Sequence, residues 1–409
     1  MSIFKRIILA ILLLAVAGAI GYGLYYFFLK TANYQPDTGQ GPSGQTTTGQ
    51  FPGSGTRPAT TTGTTQNQGN TNLPTAGVIG SSTPSYYKPA SVTKVISDTI
   101  TYSSLSTGGD FRFYNANDGK FYRIMPNGTT EKLSNDVFYN AEKITWAKNK
   151  NTAIIEYPDK AKIVYNFDTK KQVTLPKHWE EFSFSNDGNQ IAAKSLGLDP
   201  SNRWLVTINS DGTGAKFIEP MGENADKVIV SWSPNQQVVA LSQTGAPQGG
   251  ERREVLFVGL NGENFKSAIV DGSGFLPQWS TTGKRLLYSV YSSRSEFKPE
   301  LWITDAQGDS IGDNRRLLQI NTWADKCVFG NEETLYCAVP KNLPVGAGMS
   351  RTVANNSYDD LYKIDLKTNL KTPISLDGDY NITNLSYNAS QNKLVFTDLN
   401  KTGLFESQL

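Results

Sequence analysis

Two cysteines and one histidine are all that the 409-residue chain offers to thiol and imidazole chemistry. His178, in the segment Leu175-Pro176-Lys177-His178-Trp179, stands alone and reads as a turn or surface residue. A zinc centre lacks its usual ligands. No Gly-x-Ser-x-Gly elbow accompanies the histidine, which argues against a Ser-His-Asp hydrolase. Neither a metal nor a cofactor is expected. Cys327 and Cys337 flank a short hairpin symmetrically about Glu332, and cross-strand neighbours approach to roughly 4.5–5.5 Å, within disulfide range. They read as a disulfide in an exported domain, or as two reduced core residues.

Two further groups of side chains are candidates for binding. Glu142, Glu180 and Asp325 stand at equivalent places in three segments and are followed by Lys143, Glu181 and Lys326. If they ring the mouth of a channel, they suit a small ligand or cation. Paired carboxylates are also the acid and base of glycosidases. The second group, Arg203, Arg252, Arg253, Arg294, Phe297, Lys298, Arg351 and Tyr358, lies in or beside four long connections. It is a cationic and aromatic mixture suited to a peptide, glycan or acidic polymer. Ion pairs between neighbours and ordinary loop variation are the bland alternatives.

What must position these residues is a phrase repeated seven times. An aromatic or large apolar anchor, a polar turn and a second apolar run recur at Leu105, Trp146, Phe184, Trp232, Trp279, Phe329 and Tyr387, roughly 40 to 60 residues apart. Such spacing marks propeller blades or other stacked repeats. Eight residues after each anchor stands an apolar residue: Phe113, Ile154, Ala192, Ala240, Leu287, Cys337 or Val395. Turns such as Asn186-Asp187-Gly188 and Thr281-Thr282-Gly283 join the two runs as a hairpin, with glycine free to take positive φ. Third and fourth strands follow in every repeat but the last, which ends after three. The stretch Val92-Thr93-Lys94-Val95-Ile96-Ser97-Asp98 resembles a fourth strand and is expected to complete that blade, leaving only short, protected edges. The predicted architecture is all-β: a seven-bladed β-propeller of four-stranded antiparallel blades over residues 91–409. The long connections, which join second to third strands in four consecutive repeats, then share one face, and the first strands line the axis.

The N-terminal part has a different composition. Residues 7–29 carry no charge, and 23 residues span roughly 35 Å as a helix, enough to cross a bilayer core. Lys5 and Arg6 precede the span and only Lys30 follows closely, so residues 1–6 are expected in the cytoplasm and the rest outside. A cleaved signal peptide is the rival reading, through the run before Ala15-Val16-Ala17; both export the C-terminal domain. Residues 30–90 are rich in Gly, Thr, Ser, Pro and Gln with few aliphatics, the composition of a disordered tether with a reach of roughly 40 Å. With 39 basic and 37 acidic residues, a net charge of +2, no bulk field recruits nucleic acid.

Trp232-Ser233-Pro234-Asn235, Phe184-Ser185-Asn186-Asp187-Gly188 and the strand ending Leu301-Trp302-Ile303-Thr304-Asp305 resemble the TolB-type, WD-repeat-like propeller family over the C-terminal three quarters of the chain. That resemblance implies an extracytoplasmic interaction module and carries no activity with it. The expectation is therefore a single-pass, membrane-anchored binding or scaffold module for a protein or cell-surface polymer, with an exported carbohydrate-active enzyme as the alternative.

Overall fold

The computed structural model describes residues 89–263 and 265–409; the expected membrane span, and all of the tether before residue 89, lie outside them. Seven four-stranded antiparallel sheets account for the described strands. Six follow chain order: blade 1 at 100–132, blade 2 at 143–175, blade 3 at 179–220, blade 4 at 228–271, blade 5 at 273–317 and blade 6 at 327–374. Blade 7 takes three strands from 382–408 and its outer strand from Val92–Ile96. Val92 pairs with Ser407, Lys94 with Phe405 and Ile96 with Leu404. The missing strand is thus supplied from the other end of the domain, and the ring closes as the repeat count requires.

First strands of successive blades meet around the axis, and anchor-strand side chains stitch them together. Trp146 Nε1 donates to Tyr102 O at 2.6 Å, Trp279 Nε1 to Ser231 Oγ at 3.0 Å and Gln278 Nε2 to Cys327 O at 3.1 Å. Outside this ring each blade packs both faces on its neighbours. Leu241, Val255 and Phe257 of blade 4 meet Leu286, Tyr288 and Trp302 of blade 5, while Leu287 and Leu301 of blade 5 meet Phe329, Leu335 and Cys337 of blade 6. That two-sided burial explains why inner strands such as Val238–Ser242 are buried at every position and do not alternate.

A repeated hydrogen bond gives the phrase its serine. Ser185, Ser233 and Ser280, each next to its anchor, are buried, and each Oγ accepts from the N–H five residues on: Gln190, Val238 and Arg285, at 2.9 to 3.0 Å. The hydroxyl closes the hairpin where the backbone ladder opens. The left-handed position inside that turn falls to Gly188 (φ 69°), Gly283 (φ 77°) and, in blade 4, Gln236 (φ 61°). Blade 6 runs one residue shorter, pairing Phe329 with Leu335, whereas Phe184 and Trp279 pair seven residues on. Cys327 and Cys337 are consequently directly opposite, with Cα atoms 4.0 Å apart, and form the disulfide.

Among the described residues Arg112 is the most deeply buried cation. Arg112, at 0% exposure, crosses from blade 1 to donate to Lys150 O at 2.6 Å and Ala147 O at 2.8 Å, and stacks 4.9 Å from the Trp146 ring. Burial draws its guanidinium down to about 10, against the pull of Asp110 and Asp168. Blade 2 has Ala147 where blades 3, 4 and 5 have the turn serine, and the arginine ties that turn from the neighbouring blade.

Candidate binding face

In an antiparallel blade the first strand begins where the second ends. The starts of the first strands and the second-to-third connections therefore share an end of the toroid, together with the links that enter each blade. The two groups of residues singled out by the sequence meet there directly: Arg351, from the long connection of blade 6, is ion-paired to Asp325, beside the first strand of the same blade. They form one surface.

Polar bonds tie the long connections into a rim across blades 4 to 7. Glu251 of blade 4 accepts from Ser293 N and Oγ of blade 5, both at 2.9 Å. The blade 6 connection leans on blade 5 through Gly346 N to Glu296 O at 2.9 Å and Gly348 N to Phe297 O at 2.7 Å. On its other side Asn355 O accepts from Asn381 Nδ2 at the start of blade 7, at 2.7 Å. Glu296 and Phe297 both have positive φ, 54° and 55°, which turns their carbonyls toward the neighbouring loop. Backbone strain of this kind persists where the surroundings hold it in place.

Most cations of this face are already matched. Arg294 bonds Glu300 at 2.7 Å and lies 5.4 Å over the Trp302 ring. Lys298 bonds Glu296 at 2.6 Å, Arg203 lies 3.9 Å from Glu223, and Arg351, besides Asp325, covers the Trp323 ring at 5.0 Å. Arg252 and Arg253 are exposed, and among the described residues no carboxylate lies within ion-pair distance of either. The carboxylate opposite Arg252 in register is Asp271, and it bonds Arg315 of blade 5 at 2.9 Å instead. Of the two aromatic candidates, Phe297 is half-buried and Tyr358 is exposed.

The six residues singled out for a channel mouth differ in their surroundings. Lys326 does not contribute to such a mouth: its side chain is 6% exposed and bonds Asp359 at 2.8 Å, because a short 3-10 turn, Ala324–Lys326, rotates it into the seam between blades 6 and 7. Glu181 bonds Lys194 at 2.8 Å. Glu142 and Lys143 are exposed, and Glu180 is partly so. Beside them stands Glu156, which the sequence reading missed because it lies on a second strand. Burial pushes its carboxyl up, Lys143 and Lys162 pull it down, and Glu180 and Glu142 push it up again. His178 is exposed at the entry to blade 3, where its carbonyl accepts from Leu196 N. Among the described residues, no three His, Cys, Asp or Glu side chains converge as a metal-binding group. No helix among them is long and apolar enough to cross a membrane.

These features define a seven-bladed β-propeller with one elaborated face. No known protein family and no curated protein matches the sequence. Solved propellers match its shape. An oligogalacturonate lyase in complex with manganese is similar at a TM-score of 0.53 and 11% identity, over 78% of this chain and 93% of that one. The propeller domain of Myceliophteria thermophila Cps50 (Swd1) aligns at 0.49 and 11%, over 78% and 99%. The tricorn protease aligns at 0.49 and 12%, over 78% of this chain and 34% of that one. The likeness to the lyase, at 11% identity, extends to the fold alone.

Proposed function

We propose that the chain is a membrane-anchored, extracytoplasmic propeller of the TolB-like kind that binds a protein or cell-envelope polymer through its long-loop face and carries out no chemistry of its own. The observation that carries this reading is the bonded rim over blades 4 to 7. Closing a propeller requires nothing of these connections, yet they are tied to their neighbours by hydrogen bonds, main chain to main chain between blades 5 and 6 and through the Glu251 and Asn381 side chains on either side. A platform ordered in advance loses less conformational freedom on association. The Cys327–Cys337 bridge suits an oxidising compartment, and the uncharged segment 7–29 suits a single anchor. The test is photo-crosslinking in intact cells from a probe at Tyr358, comparing the full chain with one in which residues 344–356 are replaced by a short Gly-Ser link. Loss of the cross-linked species in the replacement is expected; an unchanged pattern would sink the reading.

One observation favours the enzymatic alternative. Glu156, whose carboxyl is held above the usual range by burial, against the pull of Lys143 at 3.8 Å and with a smaller push from Glu180 and Glu142, resembles the environment that makes a carboxylic acid a proton donor near neutrality. If that reading holds, Glu156→Gln abolishes glycan cleavage by the full chain in a reducing-end assay. Cleavage that survives the substitution removes Glu156 from the chemistry.

A further inference from the structure

Resting on that binding face, the geometry points to its ligand: we propose that a hollow over blade 4 is a site for an anionic glycan whose sugars carry carboxylates. The hollow encloses about 530 Å³, within the ~300–1,000 Å³ range of ligand pockets. Lys227, Arg252 and Arg253 supply its positive charge, and Asn224, Gln243 and Ser273 are among its neutral lining.

Charge matching elsewhere on the face leads to this place. Arg203, Arg294, Lys298 and Arg351 each have a carboxylate within ion-pair distance. The two arginines of the hollow have none among the described residues. Its one acidic lining residue, Glu251, is committed to Ser293 N and Oγ. Asp271, the cross-strand neighbour of Arg252, is committed to Arg315. Lys227 is held by Asn224 Oδ1 at 2.9 Å in the turn Gly222–Lys227. Three cations from two elements thus line one solvent-filled space, while Glu251 and Asp271, the carboxylates nearest the arginines in chain and register, are engaged elsewhere.

The class of anion follows from the rest of the lining. Guanidinium groups donate two parallel hydrogen bonds to a carboxylate. Asn, Gln, Ser and Thr side chains around them offer both donors and acceptors, which matches sugar hydroxyls. No aromatic ring and no large aliphatic side chain lines the hollow, so it has no pocket for the apolar anchors of a peptide. The loop above it turns at Gly249 and Gly250, with φ of 76° and 58° and no atom within 4 Å of where a Cβ would stand. That leaves the backbone open to a chain passing over it.

The test measures binding of the full chain, in detergent, to three probes of similar length: an alginate oligosaccharide, a neutral dextran oligosaccharide and poly-L-glutamate. Alginate is expected to bind, dextran not to bind, and poly-L-glutamate to bind at least tenfold more weakly than alginate. Combining Arg252→Gln with Arg253→Gln should weaken alginate at least tenfold and flatten its salt dependence, whereas Arg123→Gln, which removes a matched cation of blade 1, should leave it within twofold. Lys227→Gln with Arg253→Gln gives a second variant of the hollow, and an unchanged melting temperature confirms folding for each. Absence of alginate binding, binding by both hollow variants as tight as that of the native chain, or poly-L-glutamate binding as tightly as alginate would overturn the proposal. A failed alginate test beside loss of the cross-linked partner on replacing residues 344–356 would reject this ligand alone. An unchanged cross-linking pattern would reject the binding-face reading itself.

Discussion

Replacing Lys326 by Met tests whether the seam between blades 6 and 7 is held by charge. In the native protein Lys326 Nζ lies 2.8 Å from Asp359 Oδ2, and the two side chains are 6% and 0% exposed. Asn381 Oδ1 accepts from the same ammonium at 3.3 Å. Asp359 Oδ2 also accepts from Ile382 N at 2.6 Å, while Oδ1 has no partner. Methionine keeps the volume and removes the charge, leaving a buried carboxylate with one backbone N–H. Breaking a buried pair in this way costs about 3–5 kcal/mol. A second route gives a consistent ceiling. The carboxylate can escape its isolation by taking a proton, which costs about 1.4 kcal/mol for each pH unit above its unfolded value; from an ordinary value of 3.8, protonation at pH 7 costs about 4 kcal/mol.

The sign of the pH dependence follows from the same group. Burial, the largest effect, and then Asp398 raise the Asp359 carboxyl; the Lys326 charge, its hydrogen bond and the Ile382 N–H lower it, leaving it above the ordinary value. Without Lys326 it rises further. A carboxyl raised in the folded state binds its proton more tightly there than in the unfolded chain, so stability falls as pH climbs from the ordinary carboxylate value through the folded one. The Lys326→Met deficit should therefore be complete at pH 8 and shrink by about 2 kcal/mol or more toward pH 4, as measured by urea unfolding followed by tryptophan fluorescence. Adding Asp359→Asn, which needs no counter-ion, should recover most of the loss at pH 7. A deficit below about 1 kcal/mol, or one that does not change between pH 4 and 8, would refute the argument.

Three other perturbations have definite expectations. Serine at both Cys327 and Cys337, which are 10 residues apart, should cost about 2–3 kcal/mol by chain entropy, read as a lower urea midpoint at unchanged slope. Deleting Val92–Ile96 strips the partner from Leu404–Gln408 and bares an edge strand, so light scattering should show more self-association than for the intact chain at the same concentration. Gln236→Gly places glycine at the left-handed position that Gly188 and Gly283 occupy in sister blades and should stabilise by about 0.5–1 kcal/mol; a lower melting temperature would contradict the role assigned to that turn.

The fold was legible because its information is local and repeated. A seventh repeat with three strands implied a fourth elsewhere, and Val92–Ile96 was the apolar-polar run available to fill it. The disulfide was legible for a different reason: the two cysteines stand symmetrically about Glu332, and a hairpin centred there, one residue shorter than those after Phe184 and Trp279, sets them opposite each other. Charge matching was not legible. Arg351 meets Asp325 across 26 residues and Arg315 meets Asp271 across 44; the second pair depends on how adjacent blades abut, which no spacing within one repeat encodes. Lys326 failed as a channel residue because one 3-10 turn reversed its direction. Arg112 went unnoticed because, on a strand that otherwise reads Phe-Arg-Phe-Tyr, one charge looks like a solvent-facing position.

Pairing is also what separates the parts of the elaborated face. A cation held by a carboxylate has little to offer a ligand, since binding must first break the pair or accept a net neutral surface. Over blades 5 and 6 the arginines are therefore best understood as fasteners: Arg294 and Arg351 clamp carboxylates while covering Trp302 and Trp323, which keeps the loops in register. Blade 4 inverts the arrangement. Two of its acids are turned toward blade 5, Glu251 to Ser293 and Asp271 to Arg315, while Glu254 is held within the blade by Ala246 N and Ser267 Oγ, so bonds that fasten blade 4 leave Arg252 and Arg253 without counter-ions. Rim order and free positive charge are then two results of one set of bonds. Cutting the fastening with Glu251→Ala should loosen the blade 4 loop, whereas Arg252→Gln should leave the rim intact and remove only charge.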